Sequence, residues 1–402
     1  MEAYIIDGIR TPIGSYQGAL SEVRADDLGA LVIKAVAERN PEIPLSAYDD
    51  VILGCANQAG DDNRNVARMS LLLAGLPETV PGETVNRLCS SGLSAIIHAN
   101  RAIKAGDGDV FIAGGVENMT RGPLVISKSS KGYGTDSKMY DSSFGWRFVN
   151  PKMKEMHGVD AMGETAENLV EKYNISREDQ DRFALNSQLK AKKAQESGRL
   201  AEEIVNVEIP QRKGDAKVVA QDEFLKPTST IEGLGKLRAA FKKEGSVTAG
   251  NSSGLNDGAA AVIVASADAV KKYNLKPLAR IVSSAVVGVS PRIMGIGPVE
   301  ASNKALAKAG LKMEDMDIIE LNEAFAAQSI ACIREWGLQD DDARINPNGG
   351  AIAIGHPLGV TGARIAYSAA LELNKTQKRY ALVTMCIGVG QGYAAILERF
   401  QA

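Results

Sequence analysis

The sequence predicts an α/β protein built from a duplicated unit, with a long insertion between the copies. Three observations carry this. Strand-like and helix-like segments alternate along most of the chain, which implies α/β layers. Pieces of the first half recur in order in the second. Between them, from about Arg121 to Ser246, lies a stretch of different composition. At 402 residues and 45% hydrophobic content, the chain can bury more than one sizeable core.

In the first half, apolar strands are expected at "AYIIDGI", "DDVILGCA" and "DVFIAGGV". Helices are expected over 25–39, 66–74 and 91–105, the last because Leu93, Ile96, Ile97, Ala99 and Ile103 recur at helical spacing. The second half predicts strands at "ARIVSSAVVG", "MDIIELNEA", "RINPNGG" and "YALVTMCIG". Its helices fall over 298–309, 324–336 and 362–373. "YDDVILGCANQA" lines up with "DMDIIELNEAFA", "TVNRLCSSG" with "RINPNGGAIAIG", and "DVFIAGGVEN" with "YALVTMCIGV". Each copy runs from an acidic entry through an apolar strand and a polar loop to a helix.

The insertion holds two clear helical patterns, "GETAENLVEKYN" and "SREDQDRFALNSQLKAKKAQESG". Ser176 and Asp179 open the second in the manner of a capping box. It is too long for a connection within a compact domain, so it is expected to form a lid or interaction element. "SVTAGNSSGLNDGAAAVIVAS" then returns to the apolar, Gly-rich style of the first half.

Composition narrows the function. Net charge is −3, from 46 basic and 49 acidic residues, and no long basic run appears. That argues against general nucleic-acid binding. No apolar run approaches the roughly 18 residues of a membrane span, and the first residues do not resemble a secretory signal. The four cysteines and three histidines are scattered and show no zinc-site spacing, so no metal is expected. A cytoplasmic protein with free thiols is expected.

Four residues stand at predicted strand ends, where open α/β sheets place their sites. Cys89 sits in "TVNRLCSSGLSA", at a corner between an extended segment and a helix start. Such a corner is expected to lower a thiol pKa through the helix dipole and free N–H groups. Asn322 lies with Glu323 in "LNEAFAA", His356 between Gly355 and Pro357, and Cys386 in "TMCIGVGQG". Each has a plain alternative: a turn residue, a satisfied imidazole, a buried thiol, a hinge of glycines. Together, two thiols and an imidazole at equivalent strand ends form an acid–base set with a nucleophile.

At this point the chain resembles the thiolase family from end to end. The segments that carry the resemblance are "RTPIG", "NRLCSSGLSA", "GGVENM", "TAGNSSGLNDGAAA", "MGIGP", "NEAFAAQ", "NPNGGAIAIGHPLGVTGAR" and "CIGVGQG". It implies the thiolase fold, two duplicated α/β/α-layered domains with an inserted loop domain. The implied domains are 1–120 plus 247–275, the insertion 121–246, and 276–402. It implies thiolytic cleavage of a 3-oxoacyl-CoA. Cys89 would take the acyl group, His356 would activate it, and Cys386 would exchange the proton at the thioester α-carbon. A water held by Asn322 would form one oxyanion hole with His356, and the N–H groups of Cys89 and Gly388 the other. CoA would be co-substrate, with no metal or redox cofactor. Met153, Met162, Lys226, Ser253, Leu255, Ala324 and Phe325 would bind it. A homotetramer is implied, a dimer of dimers clasped through the Gly122–Ser143 stretch.

Two departures refine this. Ala161 stands where acetoacetyl-CoA-forming members have histidine, and Val389 where many members have glycine. With "CANQAGDDNRNVARM" and "SSFGWRFVNPKMK", they resemble the branch acting on 3-oxoadipyl-CoA, which yields succinyl-CoA and acetyl-CoA. A cation is then expected for the substrate carboxylate, with Arg147 and Lys152 as candidates. The alternatives are a general 3-oxoacyl-CoA or acetoacetyl-CoA thiolase and a non-catalytic CoA-binding subunit.

Overall fold

The computed structural model describes residues 1–401. Its centre is one ten-stranded sheet made of two like halves. In the first half Ala3–Arg10 pairs antiparallel with Asn256–Ser266, and that strand antiparallel with Val110–Asn118. Asp50–Gly54 and Gly82–Val85 follow in parallel, out to the edge. In the second half Ala279–Gly288 pairs antiparallel with Gln391–Arg399, and that strand antiparallel with Tyr380–Ile387. Ile318–Leu321 follows in parallel. The halves join where Tyr4 and Ile5 face Arg280 and Ala279. The aligned segments therefore occupy like positions in the two halves.

One aligned pair differs. "RINPNGG" is not a strand: it makes a single parallel bridge, Ile345 to Ile319, where the first half has Gly82–Val85. Asn346 explains the shortness. Its left-handed backbone (φ 43°) turns the chain, and its amide pairs with Leu321 instead of continuing a ladder.

The helices of the first half form over Ala25–Glu38, Val66–Leu73 and Ser91–Ala105. Those of the second form over Gly297–Ala309, Ala326–Glu335 and Leu358–Thr376. Two of them, Ser91–Ala105 and Leu358–Thr376, share a core with strands of both halves. Strand alternation sets this up: Ala381, Val383, Met385 and Ile387 face that helix pair, while Leu382 joins the outer core of the second half. Outer helices Ala25–Glu38 and Gly297–Ala309 cover the opposite faces.

The insertion is richer than its two sequence-evident helices. It adds helices Pro151–His157 and Ile231–Gly235, and hairpins of Leu124–Ile126 with Met139–Asp141 and of Val207–Ile209 with Lys217–Val219. Short polar segments such as these lack a periodic signal. Ser176 does cap its helix, its hydroxyl accepting from the Asp179 N–H at 3.0 Å. The insertion is held to the sheet by Arg10 of "RTPIG", buried between Glu203 and Asp222 at 2.9 and 2.6 Å. Among the described residues no helix is long and apolar enough to cross a membrane.

Candidate active site

Cys89 lies in a tight turn, Leu88–Ser90, directly before the Ser91–Ala105 helix. The turn is built by side chains. Ser91 Oγ accepts from Arg87 N–H at 2.8 Å and donates to Leu88 C=O at 2.7 Å. Leu88 takes a left-handed backbone (φ 48°), and its N–H donates to Asn86 Oδ1. The helix start meets the second helix at Gly92, where a Cβ would lie 2.6 Å from the Gly359 carbonyl. This contact brings the Cys89 turn against the loop that carries His356.

The Cys89 thiol departs from its expected state. It is partly buried, and burial pushes its pKa up to about 11. The N–H groups of Gly388 and of Cys89 itself reach the sulfur and act in the opposite direction. The expectation of a lowered thiol pKa is therefore corrected. Loss of water around the thiolate outweighs two backbone dipoles.

His356 is buried between Gly355, whose φ is 109°, and Pro357. Its backbone N–H donates to Asn256 Oδ1 at 2.8 Å. Nδ1 lies 2.7 Å from Thr361 Oγ1, and that hydroxyl donates to Pro357 C=O. The hydroxyl proton is thus committed, so Nδ1 carries the ring proton and Nε2 is the free base. Asn322 Nδ2 lies 3.4 Å from Nε2, a geometry that suits donation to it. Asn322 Oδ1 is buried without a protein partner. Burial, with Arg364 nearby, lowers the imidazole pKa to about 3, so the ring is neutral.

Cys386 lies at the end of strand Tyr380–Ile387 and is buried. Burial raises its thiol well above the ordinary value, and the nearby Cys89 adds to the shift. Gly388 follows two residues on, with Leu88 and Met162 against it. Val389 is left-handed (φ 62°), a strained setting for a β-branched residue.

The residues assigned to CoA fall into two groups. Ala324 and Phe325 share an apolar cluster with Cys386, Met294 and Val247. Phe325 meets Phe241 edge to face at 6.0 Å. Ser253 joins them, its N–H and hydroxyl both donating to Ala324 C=O. Leu255 is partly buried, two residues on. The Lys226 ammonium lies over the Phe224 ring at 5.6 Å, and that ring packs on Gly254. Met153, on Pro151–His157, is not a member of the cluster.

Some residues that build the site carried no sequence signal of a role. Glu117 of "GGVENM" is buried and accepts from Ala56, Asn57 and Gly359 N–H at 2.8–3.0 Å. It thereby ties a loop beside the Cys89 turn to the loop after His356. Asn256 and Thr361 hold His356 as described. In sequence Glu117 shows only as a charged residue at the end of an apolar strand, which does not specify a role.

One trio could offer metal ligands. Cys55, Asp62 and Glu117 bring ligand atoms within 4.8 Å of one another. Their oxygens are already taken by backbone N–H groups, those of Gln58 and Gly60 on Asp62 among them. The donor set therefore fits a loop anchor better than a metal cage.

A sheet built twice, with two thiols at its strand ends and an imidazole in the loop before the second central helix, defines a class of enzyme. The thiolase N-terminal domain model matches residues 3–268 and the C-terminal domain model residues 275–399; the chain belongs to the thiolase family. It is 59% identical over 397 residues to a beta-ketoadipyl-CoA thiolase of Acinetobacter baylyi, spanning 99% of both chains. It is 58% identical over 398 residues to the 3-oxoadipyl-CoA/3-oxo-5,6-dehydrosuberyl-CoA thiolase of Escherichia coli, again spanning 99% of both. The crystal structure of human mitochondrial 3-ketoacyl-CoA thiolase superposes with a TM-score of 0.92 at 40% identity, covering 100% of this chain and 99% of that one.

Proposed function

We propose that this thiolase cleaves 3-oxoadipyl-CoA with CoA, giving succinyl-CoA and acetyl-CoA. The observation that carries the chemistry is the packing of the Cys89 turn, through Gly92, on the start of the helix that follows His356, whose Nε2 lies 3.4 Å from Asn322 Nδ2. The full-length relatives supply the substrate, since their names specify this acyl chain.

In this reading Cys89 Sγ attacks C3 of the substrate, and its proton passes to His356 Nε2. The developing C3 oxyanion lies at one set of donors, the N–H groups of Cys89 and Gly388. The C2–C3 bond breaks, and the electron pair moves onto the thioester oxygen, toward Asn322 and His356. Cys386 then gives its proton to C2, releasing acetyl-CoA. Its raised pKa suits an acid that stays protonated until needed. An incoming CoA thiol returns a proton to Cys386 and attacks the succinyl group. His356 restores the proton to Cys89.

The same reading has Met153, Met162, Lys226, Ser253, Leu255, Ala324 and Phe325 hold CoA, and needs no metal or redox cofactor. It divides the chain at 120, 246 and 275, and places the enzyme in the cytoplasm as a dimer of dimers. Thiolysis measured with 3-oxoadipyl-CoA and with 3-oxohexanoyl-CoA tests the substrate. The two match in length and differ in the carboxylate. Higher kcat/KM is expected for the first, and mass spectrometry should find a succinyl group on Cys89 after exposure without free CoA. Equal kcat/KM would leave a general thiolase. An adduct on Cys386 would reverse the two thiols.

A further inference from the structure

The acyl half of 3-oxoadipyl-CoA ends in a carboxylate, with only a two-carbon spacer between it and the carbonyl that joins Cys89. Leaving that charge unpaired in the site would be costly. The segment after the Met139–Asp141 strand connects to the Cys89 turn through two neighbouring loops. Trp146 lines a small cavity with Met162 and Val389, next to Gly388. The following residue, Arg147, donates to Asn57 Oδ1 at 3.3 Å and to Ser142 C=O at 3.1 Å. Asn57 adjoins Ala56, whose carbonyl accepts from Asn86 at 3.0 Å. Asn86 in turn holds the N–H of Leu88, beside Cys89.

Arg147 is partly buried, and its bonds go to two neutral oxygens. Among the described residues it pairs with no carboxylate. Its guanidinium is therefore anchored in position while its charge is uncompensated, with donors left over. The neighbouring cations differ. Arg292 pairs with Asp160 at 2.9 Å and Arg121 with Asp61. Arg87 is turned toward Ser94 and Gln391 and lies over the Tyr393 ring. Lys152 is exposed, and its side chain makes no hydrogen bond within the chain.

We propose that Arg147 receives the terminal carboxylate and sets the preference for a dicarboxylic acyl chain. This rests on the substrate proposed above. A planar guanidinium held by neutral partners can take a carboxylate with two parallel hydrogen bonds. Asn57 and Ser142 would keep the fork aimed, which leaves less freedom to lose on binding.

The test compares kcat/KM for 3-oxoadipyl-CoA and 3-oxohexanoyl-CoA in the full-length enzyme. Arg147→Met should shrink the wild-type ratio about ten- to hundredfold, mainly through KM for the charged chain, as expected for a lost charged hydrogen bond. Arg147→Lys should recover part of it. Arg147→Gln, which can keep bonds to Asn57 and Ser142, should lose the ratio like Arg147→Met and covers the case in which the latter misfolds. Lys152→Met should keep the wild-type ratio. A wild-type preference that survives both Arg147→Met and Arg147→Gln would overturn Arg147 while sparing the substrate. No preference in the wild type would overturn both.

Discussion

Cys89 and His356 are both uncharged in the resting site, and this has a measurable consequence. The folded protein holds the imidazole at a pKa of about 3, against 6.5 ordinarily, because burial disfavours its cation. The unfolded chain takes up that proton below about pH 6.5, and the native state does not until about pH 3. The neutral imidazole's contribution to stability is thus complete above 6.5 and lost progressively as pH falls toward 3. Urea unfolding of wild type and His356→Gln from pH 7 to pH 4 should show the wild type losing stability faster, by up to about 1.4 kcal/mol per pH unit. Parallel curves would mean that His356 titrates normally. The positions of Cys89, Asn322 and Cys386 were legible because strand ends can be recognised from apolar runs, whereas His356 follows the short helix Ala351–Ile354 and not the strand expected before it. Their protonation was not. A helix start is local and visible in sequence, whereas desolvation depends on what packs over the sulfur. Thr361, Asn256 and Glu117 were hidden for the same reason: each acts through a partner distant in sequence or across a loop.

The site depends on how closely two helices approach. Ser91–Ala105 and Leu358–Thr376 lie side by side between the sheet halves, one starting just after Cys89 and the other just after His356. Their contact needs Gly92, where a Cβ would stand 2.6 Å from Gly359 C=O and 2.8 Å from Ala363 N. Gly115 on the adjoining strand is tighter still, since a Cβ there would overlap the same carbonyl. Backbone cannot yield as a side-chain tip can. Gly92→Ala should therefore cost about 1–3 kcal/mol by overpacking, read as a lower urea midpoint. It should also reduce thiolysis well beyond the fraction unfolded, since the Cys89 turn and the His356 loop would be pushed apart. Full activity in a merely destabilised variant would show that the spacing is not critical. The main helices were legible at this scale, because their apolar spacing is strong over many turns. "RINPNGG" misled because its parent repeat has a strand there, and only the Asn346 turn, set by contacts with Leu321 and Glu323, stops the second copy from forming one.

At the scale of the molecule, the insertion is fastened at one end and open at the other. Arg10 clamps Glu203 and Asp222 in a buried cluster, and Asn251 holds Asp181 at 2.9 Å. The Leu124–Ile126 and Met139–Asp141 hairpin has two unlike faces. On one, Tyr140 meets the Phe148 ring at 5.0 Å. On the other, Leu124, Ile126 and Met139 are 61%, 66% and 62% exposed. Three large apolar side chains on one side of a short two-stranded ribbon make a patch of the kind that marks a protein–protein contact. A two-stranded hairpin is also marginal alone and gains from being covered. Both points support the proposed clasp between dimers. Changing Leu124, Ile126 and Met139 together to Ser removes the apolar face and leaves Arg147, Asn57 and Ser142 in place. Light scattering should then give the mass of a dimer, where a tetramer is expected of the unmodified enzyme. Thiolysis should persist if each dimer is complete in itself. Deleting 125–145 should give the same dimer mass, though it also removes Ser142 and so disturbs the setting of Arg147. A tetramer that survives both changes would put the second interface elsewhere, and the hairpin's open face would need another partner.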